Sequence, residues 1–233
     1  MNIALFGYGK MGKMIERTAQ KRGHTIVSKI DTDTTNIDYT AMDVAIDFST
    51  PEAALLNIKG CLSAGVPIIS GTTGWLAHFE EAVNHCQTHN GAFLYASNYS
   101  IGVNIFFELN QHLAKMMAQL KEYQVSIEET HHTQKLDAPS GTAISLAEGI
   151  IAETTYSKWS KGSGNGNTIP IQSYREGEVP GTHTVSYEGP VDTIRIQHMA
   201  HNREGFALGA VLAAEWILGK QGVFNMKDVL NLR

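Results

Sequence analysis

The chain has 233 residues, enough for one large domain or two modest ones, and its 42% apolar content suffices for packed cores. Its formal net charge of −5 argues against a nucleic-acid-binding protein, which more often carries a basic surface. It has no apolar run near the ~18 residues of a membrane span, no basic secretory signal and only two cysteines. We therefore expect a cytoplasmic protein with neither a membrane nor a nucleic-acid partner.

A glycine motif follows the first predicted strand, residues 2–6. This Gly-x-Gly-x-x-Gly motif consists of Gly7, Tyr8, Gly9, Lys10, Met11 and Gly12. In dinucleotide-binding proteins the first glycine permits a tight turn, the second lets the pyrophosphate approach, and the third lets the following helix pack on its strand. A second predicted strand, residues 25–30, ends at Asp31, 19 residues after the motif, where an acid binds the adenosine ribose hydroxyls.

These features predict an NADH or NADPH site, although glycines and an acid also occur in ordinary turns. Asp31 should repel a ribose 2′-phosphate, whereas Lys10 could attract one. NADH is therefore favoured, and NADPH remains open.

Strands and helices continue to alternate up to residue 96, which predicts a Rossmann-like, doubly wound parallel sheet. Predicted strands at 44–48, 67–70 and 92–96 are separated by helices, the second of them at 76–89. Ligands of such sheets bind outside the carboxyl ends of the strands. We therefore expect cofactor contacts from two loops at these ends, formed by Gly71, Thr72 and Thr73 and by Ala96, Ser97, Asn98 and Tyr99.

The pattern then changes to a second α+β domain with a mixed sheet. Helices are predicted at 103–120, 140–153 and 206–218, and strands at 123–130, 169–175, 182–188 and 192–199. Residues 157–167 have the composition of a flexible loop, which either joins two elements or folds over a dianionic substrate. The broad face of the sheet could serve as an oligomer interface.

The segment between the strand at 123–130 and the helix at 140–153 carries the chemistry. His131 and His132 can exchange protons near neutral pH, and Lys135 adds a positive charge or a proton. Ser140 is a good N-cap, so the backbone N–H groups of Gly141 and Thr142 lie in the first helical turn, where they can bind a carboxylate or phosphate. This arrangement predicts reaction on a small carboxylate.

Other interpretations of this segment remain open. The two histidines could be ordinary surface residues. A zinc site would need further Cys or His ligands at suitable spacing, which are missing nearby in the sequence, so we predict no metal. Ser140 lacks the Gly-x-Ser-x-Gly elbow of a hydrolase nucleophile.

Residues 129–143 read Glu-x-His-His-x-x-Lys-x-Asp-Ala-Pro-Ser-Gly-Thr-Ala, which resembles the signature of the 4-hydroxy-tetrahydrodipicolinate reductase (dihydrodipicolinate reductase) family of lysine and diaminopimelate biosynthesis. The glycine motif, the Gly-Thr-Thr loop at 71–73, the segment at 96–100 and the tail at 222–232 resemble the same family. Tyr99 replaces the commoner phenylalanine. The resemblance therefore extends over nearly the whole chain.

The resemblance implies a homotetrameric oxidoreductase that uses NAD(P)H to reduce a cyclic dicarboxylate, with loss of its 4-hydroxyl as water. It implies that His131 is the general acid/base, Lys135 the proton donor and His132 a substrate contact, with Gly141 and Thr142 seating a carboxylate. The segment at 96–99 would orient the nicotinamide carboxamide. The dinucleotide-binding domain would comprise 1–101 and 207–233, with 102–206 inserted as the substrate-binding and oligomerisation domain.

The sequence departs from the family pattern in places. The glycine loop is one residue shorter than in many members, Lys10 stands where arginine is common, and Thr32 follows Asp31 where an arginine often binds the 2′-phosphate. These departures leave the NADPH preference open. Two other functions also remain possible: a nicotinamide-dependent dehydrogenase of another small acid, and a non-catalytic NADH-binding regulator.

Overall fold

The computed structural model describes residues 1–34 and 36–232. The chain forms two compact units, Met1–Ile101 with Glu204–Arg233, and Gly102–Arg203. In the described residues no helix is long and apolar enough to cross a membrane.

The elements follow one another along the whole chain. The strands are β1 (Asn2–Phe6), β2 (Thr25–Ile30), β3 (Val44–Asp47), β4 (Ile68–Ser70), β5 (Ala92–Tyr95), β6 (Gln124–His131), β7 (Lys158–Lys161), β8 (Thr168–Arg175), β9 (Thr182–Glu188), β10 (Thr193–Met199) and β11 (Gly222–Phe224). The α-helices are α1 (Lys10–Lys21), α2 (Pro51–Ser63), α3 (Phe79–Thr88), α4 (Ile101–Met117), α5 (Gly141–Glu153), α6 (Glu204–Ile217) and α7 (Met226–Leu230). A 3₁₀ turn, Leu76–His78, precedes α3.

The first unit is built on a six-stranded parallel sheet in the order β11-β5-β4-β3-β1-β2. This confirms the predicted doubly wound sheet, because the strand order runs outward from β1 in both directions, and α1 packs in one core of the sheet while α2 and α3 pack in the other. The sixth strand, β11, comes from the C-terminal segment. Its three residues are too short to show a periodic pattern in the sequence.

The helix α6 packs its small residues on this sheet. Ala207, Ala210, Val211 and Ala214 are fully buried and share one core with Ile3 and other residues of β1 and β3. Small side chains let a helix backbone approach a sheet closely, and their burial removes apolar surface from water. The return of the chain to the first unit therefore depends on a continuous apolar contact between α6 and the sheet.

The second unit contains a five-stranded sheet in the order β10-β9-β6-β8-β7. β6 pairs with β8 in parallel and with β9 in antiparallel, which confirms the predicted mixed sheet. The helices α4 and α5 supply Phe106, Leu113, Leu146 and Ile150 to the core that they share with this sheet. The strand β6 is central, so both of its neighbours hold it in register.

Three local predictions were wrong. Residues 157–167 are not wholly loop, because β7 occupies 158–161, pairs with β8, and packs Trp159 against the core of the second unit. The strand predicted at 123–130 extends to His131, which therefore lies on the sheet and not on the following loop. The helix predicted at 103–120 begins at Ile101 and ends at Met117.

Candidate active site

A cavity of about 430 Å³ lies at the carboxyl ends of β1, β2 and β3 in the first unit. Gly7, Tyr8, Gly9 and Asp31 line it together. Gly7 has a φ of +87°, and a side chain there would clash with the backbone of Phe48. The structure thus brings the glycine motif and the predicted ribose-binding acid to one cavity.

The helix α1 begins beside this cavity. Gly9 is its N-cap and provides no side-chain capping bond, so first-turn N–H groups remain available to an anion. Gly12 is buried, and a Cβ there would clash with the carbonyl oxygen of Gly7, which explains why the helix can start so close to the strand. Lys10 is exposed and Met11 half-buried.

The side chain of Tyr8 is held by charged neighbours. Its hydroxyl donates to Glu16, and the ammonium of Lys29 lies 3.0 Å from the hydroxyl oxygen and 4.4 Å from the ring centroid. Lys29 also pairs with Glu16 at 2.7 Å. Hydrogen bonds from Lys29 and Tyr8 lower the pKa of Glu16. The charge of Lys29 is therefore balanced locally, while Asp31 remains exposed at the cavity.

A buried carboxylate organises the loop after β4. Asp47 accepts hydrogen bonds from the hydroxyls of Ser49 (2.6 Å), Ser70 (2.8 Å) and Thr72 (2.7 Å). Burial raises the pKa of Asp47, and these hydrogen bonds oppose the rise. The Thr72 hydroxyl also accepts from the N–H of Ser49, so this hydroxyl stabilises the loop from within the protein. Gly71 donates its N–H to the carbonyl of Asp47 (2.8 Å), whereas Thr73 is exposed.

The segment after β5 buries the side chain of Tyr99. Tyr99 is 2% exposed, donates its hydroxyl to the carbonyl of Ser70 at 2.9 Å, and packs on Phe48. Burial raises its pKa well above the usual value. Its side chain is therefore part of the core, while Ala96 and Asn98 are half-buried and Ser97 is exposed.

In the second unit β6 carries two polar residues on its buried face. Alternate residues of this strand point to one side, so Glu129 and His131 continue the stripe of Val125 and Ile127. Glu129 is 0% exposed and His131 is 7% exposed. A charged residue on an apolar strand face is unusual, and this was the sequence signal for Glu129 that we missed.

The Glu129 carboxylate has contacts on both oxygens. Oε1 accepts from Nη2 of Arg175 and from the backbone N–H of Ser140, each at 3.1 Å. Oε2 lies 3.0 Å from Nδ1 of His131 and 3.9 Å from Nε2 of His183. Burial alone would raise the pKa of this carboxyl, but the polar groups of His131, Ser140, Ser173 and Arg175 outweigh it and hold the pKa far below its ordinary value. The carboxylate is therefore ionised.

His183 is the second histidine of this buried cluster. Its Nε2 lies 3.1 Å from Oγ of Ser140, and its ring centroid lies 5.0 Å from that of His131. Burial, reinforced by the nearby His131, lowers the pKa of His183 to about 3, so the ring is neutral at pH 7. Ser140 Oγ in turn accepts from the N–H of Ala143, as expected for an N-cap.

The loop after β6 is held by Arg175. Its Nε donates to the carbonyl of Lys135 at 3.2 Å, and its Nη2 donates to the carbonyl of Asp137 at 2.6 Å. The Lys135 ammonium contacts both carboxylate oxygens of Asp137 at 2.7 Å, which lowers the pKa of that carboxyl. His132 Nε2 lies 3.2 Å from Nη2 of Arg203. The predicted proton-handling loop is thus anchored by Arg175, and the charge of Lys135 is balanced within the loop by Asp137.

The first turn of α5 has the geometry of a capped helix N-terminus. The first-turn hydrogen bonds of α5 run from Ala143 N to Ser140 Oγ (3.2 Å) and from Ile144 N to Ser140 O (3.0 Å). The N–H groups of Gly141 and Thr142 therefore precede the intrahelical ladder and point out of the helix end. Gly141 is exposed and Thr142 half-buried.

The cluster also resembles a metal site in its composition. Glu129, His131 and His183 each offer a ligand atom within 4.8 Å of the others, so the fold brings together possible ligands that are far apart in the sequence. His183 is 52 positions from His131 in sequence, too far for a spacing pattern to reveal. The Arg175 guanidinium on the same carboxylate opposes a cation by charge, and we assign no metal.

Known proteins match both halves of the chain. The family model described as "Dihydrodipicolinate reductase, N-terminus" matches residues 1–99, and "Dihydrodipicolinate reductase, C-terminus" matches residues 102–230. A 4-hydroxy-tetrahydrodipicolinate reductase of Christiangramia forsetii is 53% identical over 99% of this chain and 98% of that protein. One of Methanosarcina mazei is 38% identical over 99% of this chain and 89% of that protein.

A solved structure shares the fold. The dipicolinate-bound dihydrodipicolinate reductase from Paenisporosarcina sp. TG-14 has a TM-score of 0.79 and 22% identity, covering 98% of both chains. At this identity the likeness concerns the fold, while the family models and the two relatives carry the assignment. The chain belongs to the dihydrodipicolinate reductase family.

Proposed function

We propose that this chain reduces 4-hydroxy-tetrahydrodipicolinate to tetrahydrodipicolinate with NAD(P)H, with loss of water, in lysine and diaminopimelate biosynthesis. The observation that carries the proposal is one segment that combines His131 at the end of β6 with the following loop, which carries Lys135 and leads to the open N-terminus of α5, in a chain 53% identical to a named reductase. A dicarboxylate needs an anion seat and cationic partners, and this loop offers both.

The residues of this segment have separate roles in the proposed reaction. Gly141 and Thr142 bind one carboxylate through first-turn N–H groups, and His132 contacts the substrate. Lys135 exchanges Asp137 for the substrate carboxylate, and after hydride has reached C4 it donates a proton to C3 of the ring, replacing the C3 proton that is lost to solvent when water is eliminated. His131 acts as general acid/base for the departing hydroxyl, which takes one proton and leaves as water. A reduced dinucleotide held in the first unit would supply the hydride for C4 of the ring.

The cavity of the first unit fits a dinucleotide. Gly7, Gly9 and the start of α1 would hold the pyrophosphate, and Asp31 the adenosine ribose. The loops at 71–73 and 96–99 would contact the nicotinamide end mainly through backbone groups, because Thr72 and Tyr99 use their hydroxyls inside the protein. NADH is the favoured cofactor, because an exposed carboxylate repels a 2′-phosphate.

The domain functions follow from these sites. Residues 1–101 with 207–233 would form the dinucleotide-binding domain, and 102–206 the substrate-binding and oligomerisation domain. A homotetramer is expected for this family, and the largely exposed edge strand β10 offers a face for assembly. Size-exclusion chromatography with light scattering tests the oligomer. Two free, buried thiols fit a cytoplasmic enzyme.

A coupled assay tests the activity. The lysine-pathway synthase supplies the unstable substrate, and consumption of NADH or NADPH is followed by absorbance, with a reaction lacking the synthase as control. Synthase-dependent oxidation supports the proposal. Oxidation only with other small acids would identify a different dehydrogenase, and cofactor binding without oxidation of any substrate would identify a regulator.

A further inference from the structure

The buried acid of β6 has no packing reason to be charged. Glu129 is 0% exposed and lies on the same face as Val125 and Ile127, where an apolar side chain would fill the core without desolvating a charge. Replacing buried ion pairs by apolar residues often leaves a fold as stable as before. A charge kept at this place therefore suggests a role beyond folding.

The two oxygens of Glu129 have different surroundings. Oε1 is occupied by the guanidinium of Arg175 and the N–H of Ser140. Oε2 faces Nδ1 of His131 at 3.0 Å, yet neither atom has an aligned hydrogen bond from the residues that the structure describes. One oxygen thus fixes the carboxylate, and the other is directed at the proposed general acid/base.

His183 cannot take this place as the partner of Oε2. Its Nε2 is farther away, at 3.9 Å, and lies closer to Ser140 Oγ, at 3.1 Å. The remaining polar groups packed around the carboxylate are Arg175, Ser140 and Ser173. Arg175 also binds the carbonyl of Lys135, so the Glu129–Arg175 pair joins His131 to the loop of the second proton-handling residue.

We infer that Glu129 is the positioning residue of His131. Its Oε2 accepts the Nδ1 proton of the imidazole and keeps that proton on Nδ1 throughout the reaction. Nε2 is then the nitrogen that gives its proton to the departing hydroxyl and later regains one from solvent, while Glu129 stays ionised and gains no proton. The catalytic part of this inference rests on the proposed reductase function, whereas the tautomer does not.

The tautomer is measured first. In protein labelled with ¹⁵N-histidine, long-range ¹H–¹⁵N spectra at alkaline pH identify which ring nitrogen of a neutral histidine carries the proton, and His131→Ala assigns the signal. We expect Nδ1–H for His131 in the wild type and an increased Nε2–H population in Glu129→Gln. An Nε2–H tautomer in the wild type, or the same spectrum in both proteins, would overturn the inference.

Turnover supplies the second test. We expect Glu129→Gln to lower kcat roughly 10²-fold, at the lower end of the range for general acid–base groups, with little change in KM. Glu128→Gln, the same substitution on the exposed face of β6, should stay near wild type. In a His131→Ala background, Glu129→Gln should lower kcat little further, because the imidazole that Glu129 orients is already absent.

The outcomes separate the two claims. An equal loss of kcat from Glu129→Gln with and without His131 would show a purely structural role and refute the positioning. A wild-type protein with the expected tautomer but no reductase activity would refute the proposed function and leave the orientation of His131 standing. Circular dichroism of each variant establishes that it is folded.

Discussion

Removal of the Arg175 guanidinium should destabilise the second unit strongly. Arg175→Met retains most of the side-chain volume but leaves the 0% exposed Glu129 carboxylate without its cationic partner. Breaking a buried ion pair costs about 3–5 kcal/mol. The Arg175 side chain is 19% exposed, so water can compensate for part of the lost pairing. We therefore expect the free energy of unfolding to fall by about 2–3 kcal/mol.

The effect should depend on pH with a definite sign. The pKa of Glu129 is held below its ordinary value of 4.5, so its pairing stabilises the folded state fully above about pH 4.5. That stabilisation is lost as the pH falls towards the low folded-state pKa. The variant lacks part of it, so the difference in unfolding free energy should be largest near neutral pH and should shrink in acid.

Urea unfolding followed by circular dichroism at neutral and acidic pH measures both quantities. Arg195→Met on the exposed strand β10 is the matched control, since Arg195 donates only to the Ser186 hydroxyl among the described contacts, at 3.0 Å. We expect less than about 1 kcal/mol for the control. Equal losses in the two variants, or a loss for Arg175→Met that grows in acid, would refute this reasoning.

Three further predictions concern the two sites. Lys135→Ala should lower kcat by ~10²–10⁴ because it removes a positioned acid. Lys115→Ala, at an exposed position, is the control and should leave kcat unchanged. If the two variants turn over at the same rate, Lys135 is excluded from the mechanism. Asp31→Asn should raise the ratio of kcat/KM for NADPH over NADH about tenfold, and an unchanged ratio would exclude Asp31 as the ribose contact. Thr72→Val should cost about 1–3 kcal/mol in thermal unfolding, because the buried Asp47 loses a donor; an unchanged Tm would show that the loop does not need this hydrogen bond.

Local patterns predicted most of the fold. The glycine motif and the alternation of strands and helices gave the parallel sheet, because each strand and helix is encoded within a few residues. The strands β7 and β11 were missed because Lys-Trp-Ser-Lys and Gly-Val-Phe lack the β-branched apolar runs that mark the equally short β3 and β4. Their pairing depends on neighbours distant in sequence.

The sequence predicted those site residues that lie close together along the chain. His131, His132, Lys135, Gly141 and Thr142 lie in one segment, and its chemistry could be read directly. The contacts that anchor this segment cross long sequence distances, 46 residues between Arg175 and Glu129 and 43 between His183 and Ser140. No local spacing encodes such contacts, which arise from strand pairing in the mixed sheet.

The sequence also could not predict the direction in which the hydroxyl groups of these loops point. Thr72 was expected to face the cofactor, but it turns inward because the buried Asp47 needs donors. Tyr99 likewise donates to a backbone carbonyl inside the core. In both loops the backbone, and not these side chains, remains for the ligand.

Transfer of a labelled hydride tests the central claim most directly. NADH carrying deuterium at nicotinamide C4, on the face from which hydride leaves, is incubated with the enzyme and with substrate generated by the lysine-pathway synthase. The product is then analysed by mass spectrometry and NMR. We predict one deuterium at C4 of tetrahydrodipicolinate; oxidation of the labelled NADH with no deuterium in the product would contradict direct transfer to the ring.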